Sequence, residues 1–142
     1  MGNTLIHLLY HFVFSTKGRL PLIDSEIQQP LYAYMGGIIK NQGGMPDHVH
    51  CLVRLPARKA VSDIMRVLKS DSSRWVNQRR PQDRFAWQTG YGGFTVSESQ
   101  VEKVRRYIQT QEEHHRKASF KEEVVSLLEK HNVEYNEQYL WD

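Results

Sequence analysis

The feature that most constrains the fold is an alternation of apolar and polar side chains near the start of the chain. Between residues 4 and 14 large apolar side chains recur at every second position, while His7 and His11 fall between them. A period of two is that of a β-strand with one buried face. Residues 48–55 form a second β-prone run, which Pro56 closes. The sequence therefore predicts two strands of one sheet, with a brief further strand at residues 94–96.

Helical periodicity fills the intervals between these strands. Apolar side chains three or four positions apart recur over residues 25–41, in a helix from residue 62, in one from residue 97 to at least residue 114, and in a last helix. A serine marks the expected start of each helix: Ser25, Ser62, Ser97 and Ser119. Strands and helices are interspersed without a linker, so we expect a single α+β domain over residues 1–142.

The composition is that of a globular protein able to bury a core. The 142 residues are 39% hydrophobic and 11% aromatic, which excludes wholesale disorder and collagen-like sequences. A single cysteine, Cys51, excludes an internal disulfide and a cysteine-based zinc ribbon. The formal charge of +3 is compatible with an anionic partner. We expect neither a signal peptide nor a membrane span, and place the protein in the cytoplasm.

Two histidines share one face of the second predicted strand. Alternate residues of a strand point to the same side, so His48 and His50 lie together while Val49 and Cys51 turn to the other side. Two neighbouring imidazoles are able to bind one divalent cation. Alternating histidines also occur on solvated polar faces of sheets, and the spacing by itself leaves both interpretations open.

The helix over residues 101–115 offers a reactive group and a further ligand. Tyr107 and Gln111 are four residues apart and therefore share a helix face. A tyrosine hydroxyl is able to act as a covalent nucleophile, and an amide oxygen suits magnesium or manganese. The alternative is that Tyr107 only borders the apolar stripe of the helix. His114 and His115 are rival ligands, of which at most one shares the face of Gln111.

The helix from residue 62 carries a basic face. Arg66, Lys69, Arg74 and Arg79 are candidate contacts to DNA phosphates, and the aromatic residues between positions 85 and 94 are candidate platforms for base stacking. The same charges are also compatible with an ordinary solvated helix face. The same aromatic residues are able to pin their loop to the core.

Four blocks in this order resemble the single-tyrosine transposases of the HUH endonuclease superfamily, the small transposases of prokaryotic insertion sequences. The blocks are residues 44–50, which read GMPDHVH; Leu68, Lys69, Ser70 and Ser73; Trp87 and Gln88 with Gly90, Tyr91 and residues 94–97; and Tyr107, Ile108, Gln111, His114 and His115. A short motif of two histidines around a hydrophobic residue is unspecific, whereas all four blocks together are highly specific.

The resemblance implies a ferredoxin-like or RRM-like antiparallel sheet with helices packed on one face, acting as a homodimer. It implies that His48, His50 and Gln111 bind Mg²⁺ or Mn²⁺ and that Tyr107 attacks DNA to form a 5′-phosphotyrosine. The histidines of one subunit would face the tyrosine helix of the other. The implied substrate is single-stranded DNA with hairpin ends, which the enzyme cleaves and rejoins. The resemblance also implies a protein of the prokaryotic cytoplasm that needs no nucleotide cofactor and does not associate with a membrane.

Residues 39–46 depart from the family pattern. Such proteins carry a strand between the first helix and the histidine strand, yet in this chain the predicted helix runs almost directly into Pro46. The interval leaves no room for an ordinary strand of about five to six residues. We therefore expect either a smaller sheet or a helix that ends early and so provides the strand.

The sequence leaves other functions open. One alternative is a domesticated relative that processes repeat hairpins. A second, which the departure at residues 39–46 suggests, is a catalytically inactive module that binds single-stranded DNA. A third is a hydrolytic metallophosphoesterase, which would release its product without a covalent intermediate.

Overall fold

The computed structural model describes residues 2–36, 41–82, 84–138 and 140. Its antiparallel sheet has the order β2-β3-β1-β4 and consists of β1 (Leu9–Ser15), β2 (Asn41–Met45), β3 (His48–Arg54) and β4 (Gly92–Thr95). The helices are α1 (Ser25–Met35), α2 (Val61–Arg79), α3 (Val101–Gln109), α4 (Gln111–His115) and α5 (Phe120–Lys130). The expected α+β class with one antiparallel sheet is confirmed.

The larger part of the core lies between one face of the sheet and helices α1 and α2. Phe12 and Phe14 of β1 point to this face, as do Val49 and Cys51 of β3. The helices contribute buried aliphatic side chains: Ile27, Leu31 and Met35 from α1, and Met65, Leu68 and Val76 from α2. Burying the apolar half of each strand here leaves the alternate half on the opposite face.

The opposite face of the sheet is covered by the C-terminal helices. Strand residues Leu9, Val13 and Leu52 pack there against Ile108 of α3 and against α5. The buried residues of α5 in this layer are Phe120, Val124 and Leu128. The structure thus differs in one respect from the expected sheet with a single covered face, because the apolar stripes of α3 and α5 need a surface and this face provides one.

Strand β2 fills the interval that the sequence left without a strand. Helix α1 ends at Met35, and residues 37–40 of the predicted helix lie outside the described residues. Strand β2 pairs antiparallel with β3 along its whole length. Glycine has a low β-propensity, which hid the strand in the sequence. At Gly43 the missing side chain is needed, because a Cβ atom would overlap the carbonyl oxygen of Ile108 in α3.

Three of the four predicted helix starts need correction. Helix α1 is capped by Asp24, whose carboxylate accepts hydrogen bonds from two backbone N–H groups, and not by Ser25. Helix α2 begins at Val61, so Ser62 lies inside it. A 3₁₀ turn over Glu98–Gln100 separates Ser97 from α3. Only the start at Ser119 is confirmed, with a capping box to Glu122.

Helix α3 ends earlier than the periodicity predicts. Thr110 has φ −113° and ψ 36°, which interrupts the predicted helix over residues 101–115 and separates α3 from α4. Tyr107 therefore lies in α3 and Gln111 in α4.

Among the described residues, no helix is long and apolar enough to cross a bilayer.

Candidate metal centre and tyrosine site

His48 and His50 lie side by side on β3, beneath the C-terminal helices. Both side chains are fully buried, and their ring centroids are 5.2 Å apart. The alternation of the strand turns them away from the larger core and toward α3, α4 and α5. The prediction that the two imidazoles share a face is met by this geometry.

Each histidine is held at its Nδ1 atom. Asp47 Oδ1 lies 2.8 Å from Nδ1 of His48, and Nε2 of His11 lies 2.8 Å from Nδ1 of His50. Partners at Nδ1 fix the orientation of a ring and leave Nε2 as its ligand atom. Burial lowers the pKa of His11 to about 3 and also lowers the pKa of His50, so both rings are neutral near pH 7.

Glu123 of α5 faces both Nε2 atoms. Its Oε1 atom lies 2.9 Å from Nε2 of His50 and 3.5 Å from Nε2 of His48. Burial would raise the pKa of this carboxyl group, yet the hydrogen bonds with His50 and Tyr107 hold the pKa at about 2. The carboxylate is therefore ionised, as a metal ligand must be.

Tyr107 presents its hydroxyl to the same carboxylate. The hydroxyl donates a hydrogen bond to Oε2 of Glu123, and the ring edge packs at 5.6 Å from the ring of His50. Burial raises the pKa of the phenol, and the hydrogen bond to Glu123 and its negative charge raise it further. The nearby cationic side chains of Arg105 and Arg106 contact Glu102, one by an ion pair and the other through its backbone oxygen.

Gln111 completes the group of donors. Its Oε1 atom lies 3.1 Å from Nε2 of His48, while its amide nitrogen donates to the backbone carbonyl of Tyr107 at 3.1 Å. His115 also enters the cluster, with Nε2 at 3.1 Å from the same oxygen and 3.3 Å from Oε1 of Glu123. Of the two rival histidines, His115 is thus the one that faces the candidate site.

The donor set fits a divalent cation. The ligand atoms of His48, His50 and Glu123 all lie within 4.8 Å of one another, and the amide oxygen of Gln111 is adjacent. Two imidazoles with carboxylate and amide oxygens suit ions such as Mn²⁺, and the oxygen donors suit Mg²⁺. Glu123 was missed by sequence reasoning, although it stands within the apolar stripe of α5, between Phe120 and Leu127, where a carboxylate needs a partner.

The basic residues of α2 lie apart from this site. Helix α2 packs on the opposite face of the sheet. Arg66 and Arg74 are exposed and form only long contacts of 3.9 Å with aspartates one turn away, and the guanidinium of Arg79 stacks on Trp75 at 3.9 Å. Lys69 is half-buried, and its ammonium group donates to three consecutive carbonyls of the loop at residues 88–90, at 2.6–3.0 Å.

The fold and the site together define a class of α+β protein. In this class, two histidines on an antiparallel sheet form a candidate metal centre beside a tyrosine hydroxyl. Comparison with known protein families identifies the family to which the chain belongs. The chain belongs to the IS200-like transposase family, because the model of that family, "Transposase IS200 like", matches residues 4–111.

Individual relatives agree with this assignment. The ISDra2 transposase TnpA of Deinococcus radiodurans is 28% identical over 117 residues, which cover 73% of this chain and 84% of that protein. A protein of Deinococcus radiodurans solved as a candidate transposase superposes with a TM-score of 0.63 at 24% identity, covering 76% of this chain and 94% of that one. A tyrosine transposase bound to a REP hairpin superposes with a TM-score of 0.54 at 16% identity, covering 76% and 70%. The two solved structures support the fold.

Proposed function

We propose that this transposase cleaves and rejoins single-stranded DNA at the ends of an insertion element through a covalent intermediate on Tyr107. The observation that carries the proposal is the hydrogen bond of the Tyr107 hydroxyl to Glu123, a carboxylate that also faces His48 and His50. Glu123 therefore contacts both the proposed nucleophile and the candidate metal ligands, in a chain that belongs to the IS200-like transposase family.

The proposed reaction exchanges one phosphate ester for another. A bond forms between the phenolic oxygen of Tyr107 and the scissile phosphorus, and the bond from phosphorus to the 3′ oxygen breaks. As this bond forms, the phenolic proton passes by way of Oε2 of Glu123 to solvent, and the departing 3′ oxygen takes a proton from solvent to become a hydroxyl. The other fragment stays attached to the protein by its 5′ phosphate. Attack by a different 3′ hydroxyl reverses these steps and reseals the strand without a nucleotide cofactor.

The residues of the site have different roles in the proposed reaction. His48, His50, Gln111 and Glu123 would hold Mg²⁺ or Mn²⁺, which when bound withdraws charge from the scissile phosphate. Glu123 keeps the phenol protonated and oriented until the substrate arrives. Asp47 and His11 hold the two histidines at their Nδ1 atoms, so that the ligand atoms remain fixed.

The substrate class follows from the family and from the basic helix. We propose single strands with hairpin ends, since one structural neighbour was solved with a REP hairpin. Arg66, Arg74 and Arg79 offer exposed guanidinium groups for phosphate contacts, whereas Lys69 would act mainly by holding its loop. A homodimer remains a proposal that rests on the family resemblance.

A domesticated relative that processes repeat hairpins is the second candidate, and the REP-hairpin neighbour favours it. The chemistry at Tyr107 is the same in both cases. The inactive module loses its main support, because β2 supplies the strand whose absence suggested it.

The experiment is an adduct assay with a labelled single-stranded element end and Mn²⁺. We expect wild-type protein to form a complex that survives denaturation, and Tyr107→Phe to form none. The matched control is Tyr135→Phe, at an exposed tyrosine outside the site, which should leave the adduct unchanged. An adduct that persists in Tyr107→Phe, or cleavage without any adduct in the wild type, would refute the proposed nucleophile; the second result would favour the hydrolytic metallophosphoesterase.

A further inference from the structure

A cavity of about 630 Å³ opens beside the tyrosine. It lies between the end of β4, helix α3 and helix α5, and Tyr107 and Glu123 are among the residues that line it. Its volume is within the range of roughly 300–1,000 Å³ that is typical of small-molecule sites. The donors His48, His50 and Gln111 are not part of its wall, so the cavity adjoins the candidate metal group and shares only Glu123 with it.

The wall of the cavity combines an apolar surface with an ordered aromatic ring. Val96, Val104 and Leu127 line it. The imidazole of His131 packs against Phe94 with centroids 4.7 Å apart, and its Nδ1 lies 2.9 Å from the backbone carbonyl of Leu127. A ring held at one face and at one nitrogen is able to stack with a planar group on its exposed side.

The charges around the cavity favour an anion. Lys103, Lys117 and Lys130 approach it from α3, from the turn after α4 and from the end of α5. Within the described residues, none of these three lysines takes part in an ion pair. Two carboxylates also line the cavity: Glu122 is engaged in the capping box of α5, and Glu123 faces the histidines. A planar, apolar group that carries phosphate complements this wall.

We propose that this cavity binds the nucleotide on the 3′ side of the scissile phosphate, the one that stays attached to Tyr107. The inference rests on the proposed function. In an in-line displacement the attacking and leaving oxygens lie on opposite sides of phosphorus. The leaving 3′ oxygen and its strand therefore point away from Tyr107, whereas the retained nucleotide is joined through an oxygen that stays near the tyrosine. The cavity holds the base of that nucleotide, and its lysines face the following phosphates.

The test compares two isomers of oligothymidylate of three nucleotides, one with a 5′ phosphate and one with a 3′ phosphate. They have the same charge, and only the first matches the strand that remains attached to the tyrosine. Binding is measured by NMR titration of the full chain carrying Tyr107→Phe, without divalent metal, so that no reaction takes place. We expect the 5′-phosphorylated isomer to shift the resonances of His131 and Leu127 and to bind about fivefold more tightly or better.

Two variants separate the cavity from general charge effects. Lys130→Glu should weaken binding of the 5′-phosphorylated isomer several-fold, whereas Lys59→Glu, with the same charge change at an exposed site outside the cavity, should leave the preference between isomers intact. Ser126→Trp fills the cavity from α5 without a change of charge and should abolish the preference. Circular dichroism verifies that each variant is folded.

The outcomes separate this inference from the proposed function. Equal binding of the two isomers, or shifts confined to α2, would overturn the cavity assignment while a wild-type adduct still supports Tyr107 as the nucleophile. A cavity that prefers the 5′-phosphorylated isomer in a protein that forms no adduct would retain the binding site and refute the chemistry.

Discussion

Glu123 is the residue at which the two histidines and the tyrosine meet. One of its oxygens faces Nε2 of His48 and His50, and the other accepts the hydrogen bond of Tyr107. A buried carboxylate without such partners would be costly, so the contacts that stabilise it also fix the position of α5 over the sheet. The residue thus serves the fold and the candidate site together.

Replacing Glu123 by Gln should weaken Mn²⁺ binding by about tenfold or more, because a charged ligand is replaced by a neutral one. Isothermal titration calorimetry of the full chain measures the affinity. Glu122→Gln is the matched control, since the neighbouring side chain is exposed and glutamine also serves in a capping box. Equal affinities of the wild type and Glu123→Gln would remove Glu123 from the ligand set.

At the scale of secondary-structure elements, contact between α3 and β2 positions the tyrosine. The backbone of α3 reaches the glycine strand at Gly43, and Ile108, which makes this contact, follows Tyr107 directly in sequence. A strand with ordinary side chains would push the helix outward. The glycine that conceals β2 in the sequence therefore determines how close the hydroxyl comes to the sheet.

We expect Gly43→Ala to lower the free energy of unfolding by about 1–3 kcal/mol, because the added methyl group meets a backbone oxygen that has little freedom to move. Urea denaturation gives the value. Gly90→Ala is the control, since its Cβ would meet nothing within 4 Å. Similar stabilities for the two variants would show that α3 does not rest on Gly43.

The start of α1 is joined to the end of α2 by an ion pair. Arg80 donates two hydrogen bonds to the Asp24 carboxylate, at 2.6 and 2.9 Å, and these hold the pKa of Asp24 at about 2, below its ordinary value of 3.8. The unfolded chain therefore binds more protons than the folded one between these values. The stabilisation is fully present above about pH 4 and is lost as the pH falls through 2.

We accordingly expect Asp24→Asn, which keeps the helix cap, to be less stable than the wild type at pH 7, with the difference shrinking as the pH falls from 4 to 2. Thermal unfolding followed by circular dichroism at a series of pH values measures this. Asp63→Asn, at an exposed residue in the first turn of α2, serves as control. A difference that does not depend on pH would exclude the ion pair as its cause.

The sequence predicted some of the strands, helices and site residues and missed others, each for a physical reason. Strand alternation predicted that His48 and His50 share one face, helical spacing pointed to Tyr107 and Gln111, and the resemblance implied the roles of all four residues. Strand β2 escaped because glycine carries no periodic signal, and the interruption at Thr110 escaped because neither glycine nor proline marks it in the sequence. Glu123 lies beyond the matched family segment, and its role depends on α5 folding back over β3, a long-range contact that local patterns do not encode.

At the scale of the whole molecule, the candidate site is assembled from a single chain. Tyr107, both histidines, Gln111 and Glu123 meet within one copy, whereas the family resemblance implies that the tyrosine helix faces the histidines of a partner subunit. The layer formed by α3 and α5 makes this possible, because it returns the tyrosine to the sheet of its own chain.

A mixing experiment tests this arrangement. Tyr107→Phe and His48→Ala each lack one component, and we expect an equimolar mixture of the two variants to form no covalent adduct, because neither chain contains a complete site. Each variant mixed with wild-type protein is the control. Recovery of the adduct in the mixture would show that two chains share the site.

The placement of α2 and the tyrosine on opposite faces of the sheet has a geometric consequence for the substrate. In the proposed complex, a DNA strand that contacts both α2 and Tyr107 must pass round an edge of the β-sheet. Its path crosses the thickness of one helix layer and of the sheet, at least about 20 Å. Several nucleotides are needed to cover it. The recognition signal in the nucleic acid and the bond that is cut should therefore be separated by a spacer whose length, more than its sequence, governs cleavage.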